Sequence, residues 1–289
     1  MKTDLACLPC FFRQVSRTLS YAGVNGARGR EITQAAADII EQASLEQAPA
    51  RISTLLHRLI RKTAGTDPYR AVKEEYTRIA LATLPAARVL AAGHGPDALA
   101  GGVRAAIAGN IIDFGIYDSV DLDRSLQDSF RQPLSEPAFQ AFSRAVDRAR
   151  NILFLCDNAG EIVFDRILIE ELSRRGKTVT AVVKGIPVIN DATMDDAIAS
   201  GLRESASAVI DNGNDGIGTL LELCSETFRA AYDAADLIIS KGQANFETLA
   251  TVDDDRLFYF FKVKCPVVAR ALGRENGDIV LMGNREVRR

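Results

Sequence analysis

The 289-residue sequence has no tryptophan, only two histidines and five cysteines. Two histidines cannot supply a zinc site of several imidazoles or a histidine-rich proton relay. An odd number of thiols in a chain of this length argues against a disulfide scaffold. Reduced cysteines and a cytoplasmic setting are the expectation. Charge of one sign is missing too: 35 Lys and Arg stand against 38 Asp and Glu, a formal net charge of -3. No overall basic field is offered to nucleic acid. Long hydrophobic runs are absent. Charge breaks each apolar stretch within a dozen residues, short of the roughly 18 a membrane span needs. The opening MKTDLACLPCFFRQ places Asp4 before a very short apolar run and Arg13 after it, unlike a secretory signal. Neither nucleic acid nor membrane is therefore an expected partner, and the oligomeric state is left open.

What is present is an ordinary globular composition, 47% hydrophobic and 25% charged, which excludes disorder and a collagen-like chain. The length allows two domains. The first half has helical periodicity. In EITQAAADIIEQASLEQ, Ile32, Ala36, Ile39, Ile40 and Ala43 recur at the spacing of one helix face. RISTLLHRLIRKTAG repeats this and stops at Gly65, a helix C-cap. Pro68 then opens another helix, and a further one is expected over DALAGGVRAAIAGNII. The stretch YDSVDLDRSLQDSFRQPLSEPAF, with two prolines and many charges, reads as a connection. From residue 151 onward, NILFLC, TVTAVVK, ASAVID, ADLIIS, RLFYFFKVK and DIVLMG read as strands, mostly alternating with helices. That alternation predicts a Rossmann-like α/β fold: a mostly parallel sheet with helices on both faces. An all-α N-terminal domain over residues 1–149 and a catalytic α/β domain over 150–289 are expected.

In such a sheet, ligands bind beyond the carboxyl ends of the strands. Asp157-Asn158-Ala159-Gly160-Glu161 follows the first strand, and Asn190-Asp191-Ala192-Thr193 lies beyond the second. Lys241-Gly242 and Asn245 follow ADLIIS, and Lys262 and Lys264 end the next run. Asp157, Asn158 and Asp191 are hard oxygen donors suited to Mn²⁺ or Mg²⁺ rather than zinc. The helix starting near Glu161 aims its N-terminus at the same edge, where phosphate is favoured. Lys241 and Lys264 are point charges for phosphoryl oxygens. Each item also has a plainer reading. Asp157-Asn158 and Asn190 to Thr193 are good cap and turn residues, Glu161 suits a first helical turn, and a lone lysine is usually solvated. Their coincidence on successive strand ends favours a metal-assisted phosphoryl-transfer site.

The segments CLPC, DNAGEIVFD, KGIPVINDAT, SKGQANFETL and FFKVKCPVVA, in this order, resemble the damage-control phosphatase family, once grouped as domain of unknown function 89. The resemblance covers nearly the whole chain, including AAIAGNIIDFG. The N-terminal Cys-x-x-C and the late Lys-Cys are similar to the microbial branch. The resemblance implies a divalent-metal-dependent phosphatase acting on small phosphate esters, such as sugar phosphates or damaged phosphorylated metabolites. Mn²⁺ or Mg²⁺ is the implied cofactor, with Co²⁺ or Ni²⁺ as alternatives. Asp157, Asn158 and Asp191 match the metal ligands, and Glu161 matches an acidic residue near substrate. Lys241 and the following Gly-x-x-Asn, ending at Asn245, match the phosphate-contacting loop, and Lys264 matches the lysine that closes the site. Where the eukaryotic branch has Arg-Thr-x-Lys, this chain has Phe261-Lys262-Val263-Lys264, so that form of arginine recognition is not implied. Asp157 is either a ligand only or the nucleophile, and Glu161 or Asp165 is the acid for the leaving alcohol.

Other residues stay open. Asn110 and Asp113 either line an interdomain cleft and bind the substrate body or are helix-end caps. Cys7 and Cys10 are half a zinc or redox site, with Cys265 the best candidate to join them. A buried apolar role is the simpler reading. His57 reads as structural and His94 as a loop residue. The rival function is a phosphometabolite sensor using the same pocket without turnover. A nicotinamide-dependent Rossmann enzyme is excluded, since DNAGEI lacks the Gly-x-Gly-x-x-Gly turn.

Overall fold

The computed structural model describes residues 1–93, 97–109 and 122–288. Among the described residues, seven α-helices precede the sheet: α1 (Leu8–Tyr21), α2 (Gly26–Gln42), α3 (Pro49–Ala64), α4 (Arg70–Ala92), α5 (Ala98–Ala108), α6 (Leu122–Arg131) and α7 (Glu136–Arg148). Strands and helices then alternate: β1 (Asn151–Leu155), α8 (Glu161–Arg174), β2 (Thr178–Val183), α9 (Met194–Ala199), α10 (Leu202–Ser205) and β3 (Ala208–Asp211). The chain ends with α11 (Glu226–Ala234), β4 (Leu237–Lys241), α12 (Gln243–Leu249), β5 (Leu257–Lys262), α13 (Pro266–Leu272), β6 (Ile279–Gly283) and α14 (Asn284–Val287).

The sheet order is β3-β2-β1-β4-β5-β6. The first five strands are parallel, and β6 pairs antiparallel with β5 as an edge. The order reverses between β1 and β4. Leu155 pairs with both Val182 and Ser240, so three strands end level there. This is the doubly wound arrangement whose crevice lies at the reversal.

Alternate residues of the strands feed two cores. Ile152, Phe154, Ala181, Ile239 and Phe260 face α5, α7 and α8, and Leu153, Leu155, Tyr259 and Phe261 face α11, α12 and α13. The first core crosses residue 149, because Leu99, Val103, Phe139 and Phe142 of α5 and α7 belong to it. Helix α8 is buried almost all round, sandwiched between the sheet and the α4–α5 layer. Close approach is bought there with glycine: a Cβ on Gly101 would overlap the Ala91 carbonyl of α4. A separate core joins α1, α2 and α3 through Phe11, Val15, Ile32, Ala36, Ile52 and Leu56.

Two local readings need correction. The stretch expected to be a connection contains α6 and the first residues of α7. Leu126 and Phe130 give α6 a narrow buried stripe beneath its charges. The helix expected over 31–47 begins at Gly26 and stops at Gln42.

Candidate active site

The site grows from the ends of β1, β2 and β4. Beyond β1 the chain turns through Asp157-Asn158, and Gly160 precedes α8. The side chains of Asp157 and Asn158 do not cap that helix. The Asn158 backbone carbonyl accepts from the Glu161 and Ile162 amides instead. The segment after β2 folds back beside them: Asn158 and Asp191 form an antiparallel bridge, Ala159 N–H donates to Asn190 O at 3.0 Å, and Ala192 N–H to Asp157 O at 2.8 Å. Thr193 and Asp196 form the capping box of α9, so the cap reading applies to Thr193 rather than Asp191.

The return loop is strained and clamped. Among the described residues, Ile189 is the non-glycine residue with positive φ, at 40°. For a β-branched residue this conformation is costly and persists only where surroundings impose it. Arg61 of α3 donates to Pro187 O at 2.6 Å, and Arg58 reaches both oxygens of buried Asp215 at 2.8 and 2.9 Å. Lys184 donates to Gly216 O at 2.8 Å and to Gly218 O, and stands 3.4 Å from Asp191 Oδ2. The carboxylate of Asp191 is thus placed by a lysine that is itself held by two carbonyls.

Beneath this surface lies a buried charge cluster. Asn158 Nδ2 donates to Glu161 Oε1 at 2.8 Å and to Asp157 Oδ2 at 3.3 Å. With its nitrogen turned to carboxylates, Asn158 would offer a cation its amide oxygen. Lys241, fully buried, donates to Asp165 Oδ1 at 2.7 Å and lies 3.6 Å from Glu161 Oε2. Burial pushes the Lys241 ammonium down, but Asp165 and Glu161 outweigh it and hold the group above its usual range. Burial raises Asp165 to about 7, opposed by the attraction of Lys241. Gly242, at φ 83°, lies flush against the Asp157 carboxylate, and a Cβ there would occupy the same space.

A cavity of about 510 Å³ opens on these strand ends, within the range of small-molecule sites. Asp157, Asn158, Asp191 and half-buried Lys264 line it, together with residues of α1, α3 and α4. The expected ligands therefore converge. Their chemistry, two carboxylates and an amide oxygen, fits a hard divalent cation. Among the described residues no group of three His, Cys, Asp or Glu side chains has metal-holding geometry, so any such site depends on the asparagine as a third donor.

Other expectations separate from the cavity. Lys241 and Glu161 lie behind its wall rather than on it. Asn245 spends its amide inside the protein, donating to Lys241 O at 2.7 Å and Cys156 O at 3.3 Å and accepting from Thr219 Oγ1 at 2.7 Å. These bonds tie β4 to β1. Asp165, without exposure, cannot reach a leaving group directly. Cys7, Cys10 and Cys265 all line the cavity as free thiols. Asn110, Asp113 and His94 lie outside the described residues. His57 is buried, with Nε2 3.3 Å from Gln14 Oε1. Sequence reasoning missed Lys184, Arg58, Arg61 and the cavity face of α1. For α1 a signal existed, since Cys10, Arg13, Gln14 and Arg17 recur at helical spacing opposite the apolar face.

A doubly wound sheet with carboxylates and an amide gathered at its switch point defines an α/β protein whose ligands are expected beyond the strand ends. Residues 3–280 match the damage-control phosphatase ARMT1-like domain, and the chain belongs to that family. A damage-control phosphatase of Pyrococcus horikoshii is 34% identical, covering 99% of each chain. One from Archaeoglobus fulgidus is 31% identical over 84% of this chain and 85% of its own. An uncharacterized protein of Methanocaldococcus jannaschii is 36% identical over 98% of this chain and 95% of its own. The crystal structure of a domain of unknown function 89 family protein from P. horikoshii superposes with a TM-score of 0.88 at 33% identity, covering 98% of this chain and 99% of that one. No described helix is long and apolar enough to cross a membrane.

Proposed function

We propose that this chain is a divalent-metal-dependent phosphatase of small phosphate esters, working in the cavity between the helical N-terminal layer and the strand ends. The observation that carries this reading is the Asn158–Asp191 bridge, which brings Asp157, Asn158 and Asp191 onto one wall of that cavity. Those three residues would hold Mn²⁺ or Mg²⁺, which when bound would neutralise phosphoryl charge and lower the pKa of coordinated water. Lys264, which lines the same cavity from the chain beyond β5, meets the non-bridging phosphoryl oxygens. Glu161 orients the Asn158 amide through its hydrogen bond, and Lys241 pairs with Asp165 and Glu161 behind the ligands. The N-terminus of α8 adds a fixed positive end. The names of the Pyrococcus and Archaeoglobus relatives support the activity. A cytoplasmic setting is proposed on the reduced cysteines.

Two measurements test this. Chelated protein should release no phosphate from p-nitrophenyl phosphate and recover with Mn²⁺ or Mg²⁺, and calorimetric Mn²⁺ binding should vanish in Asp191→Ala. Full activity after chelation would overturn the metal assignment. Lys264→Ala should lower turnover roughly 100- to 1,000-fold, the cost of one lost charge partner in the transition state, with melting nearly unchanged. Wild-type kinetics would reduce Lys264 to a bystander.

A further inference from the structure

The wall of the cavity contributed by α1 is more basic than one phosphoryl group requires. Cys10, Arg13, Gln14 and Arg17 all line the cavity, and their spacing is that of a single helix face. The opposite positions, Phe11, Val15, Thr18 and Leu19, are buried in the helical core. Helix α1 packs mainly on α2 and α3, with Val267 joining their core from the chain beyond β5, so this stripe comes to the cavity from a different element than Asp157 and Asp191. Neither Arg13 nor Arg17 has a carboxylate partner among the described residues, although most other arginines at charged surfaces here do. Arg17 is nonetheless held in place. Its Nε donates to Tyr21 Oη at 3.1 Å, and its guanidinium stacks 5.5 Å from that ring's centroid. An unpaired guanidinium held at a cavity wall presents its remaining N–H groups for a planar or tetrahedral anion.

We propose that Arg13 and Arg17 form a second anion subsite, so that the preferred substrate is a phosphate ester carrying another anionic group, a carboxylate or second phosphate, at the end away from the scissile bond. This rests on the phosphatase reading above for which end reacts. Among the described residues, the acidic groups that line the cavity do not neutralise the pair. Asp157 and Asp191 belong to the proposed cation site, and the Glu247 carboxylate accepts from Gln243 Nε2 at 2.9 Å on α12. Lys264, on the chain after β5, serves the reacting phosphoryl group. The surplus charge on α1 is therefore available to the substrate's far end.

A matched set of esters tests the assignment: glucose 6-phosphate, 6-phosphogluconate and glucose 1,6-bisphosphate, with p-nitrophenyl phosphate as reference. The wild type should prefer the two esters with a second anion by at least tenfold in kcat/KM. The Arg13→Ala/Arg17→Ala variant should lose about 10- to 100-fold on those two, mainly through KM, as expected for lost charge-assisted hydrogen bonds. Its rates on glucose 6-phosphate and p-nitrophenyl phosphate should stay within twofold. In chelated protein, where turnover is stopped, glucose 1,6-bisphosphate should raise the melting temperature of the wild type but not of the variant. Equal wild-type rates on neutral and anionic members, or a variant that loses the same factor on all four, would overturn the subsite while leaving the phosphatase reading intact. A wild type that hydrolyses none of them with any metal, yet is stabilised by the bisphosphate through the arginines, would overturn the phosphatase reading and leave the subsite standing.

Discussion

Gly242 shows how much one residue decides. Its φ of 83° places it where side chains are rarely tolerated, and the Asp157 carboxylate fills the space a Cβ would need. Gly242→Ala combines backbone strain of about 1–3 kcal/mol with displacement of a proposed ligand. A shift of about 1 Å at such a group costs on the order of 100-fold in rate. We expect phosphate release to fall by that order, with a measurable drop in the urea midpoint; an alanine variant with both unchanged would mean Asp157 does not need its present position. Lys241 teaches a different lesson. Its place after a strand suggested phosphate contact, yet its ammonium is sealed against Asp165 and Glu161. Sequence could identify the charge but not the direction in which the side chain turns.

At the scale of the element, α3 works as a brace. It carries Arg58 and Arg61, which grip Asp215 and Pro187, and Thr54, whose hydroxyl accepts from Ile217 N at 2.9 Å. The loops on either side of Lys184 are thus fastened to one helix. The same helix buries His57, whose pKa is held down to about 4 by burial and by neighbouring Arg61. The unfolded chain takes up this proton near pH 6.5, whereas the native state refuses it until about pH 4. Stability is therefore fully present above pH 6.5 and is lost as pH falls through that window, by about 3 kcal/mol at its lower end. Urea unfolding at pH 7 and pH 5 should reveal about 2 kcal/mol of this loss in the wild type. His57→Gln should lack that component, and an identical pH dependence in both proteins would contradict the assignment. Helix α6 illustrates why elements are misread. LDRSLQDSFR lies just ahead of Pro133 and Pro137 and is mostly polar, while Leu126 and Phe130 mark its buried apolar stripe.

For the whole molecule, the shared core makes the helical half and the sheet interdependent. Phe142 packs edge-on against Phe258 and Phe260 at centroid separations of 5.5 and 5.0 Å. Leu99 and Val103 join the same apolar layer. Residues 150–289 expressed alone would expose this face of the sheet. We expect that fragment to aggregate or to bind a hydrophobic dye without near-ultraviolet dichroism; a monomeric, cooperatively melting fragment would show that the α/β half folds independently. The alternation of helix and strand, the six strands and the hard-oxygen residues at their ends were legible because they depend on local periodicity and on where a parallel sheet must present its loops. What depends on distant contacts was not legible. Asp191 meets Asn158 because the 184–193 segment folds back on the end of β1, Lys241 is buried because it pairs with Asp165 of α8, and the α1 arginines reach the cavity because α1 packs on α2 and α3: in each case side-chain direction follows from packing between segments distant in sequence.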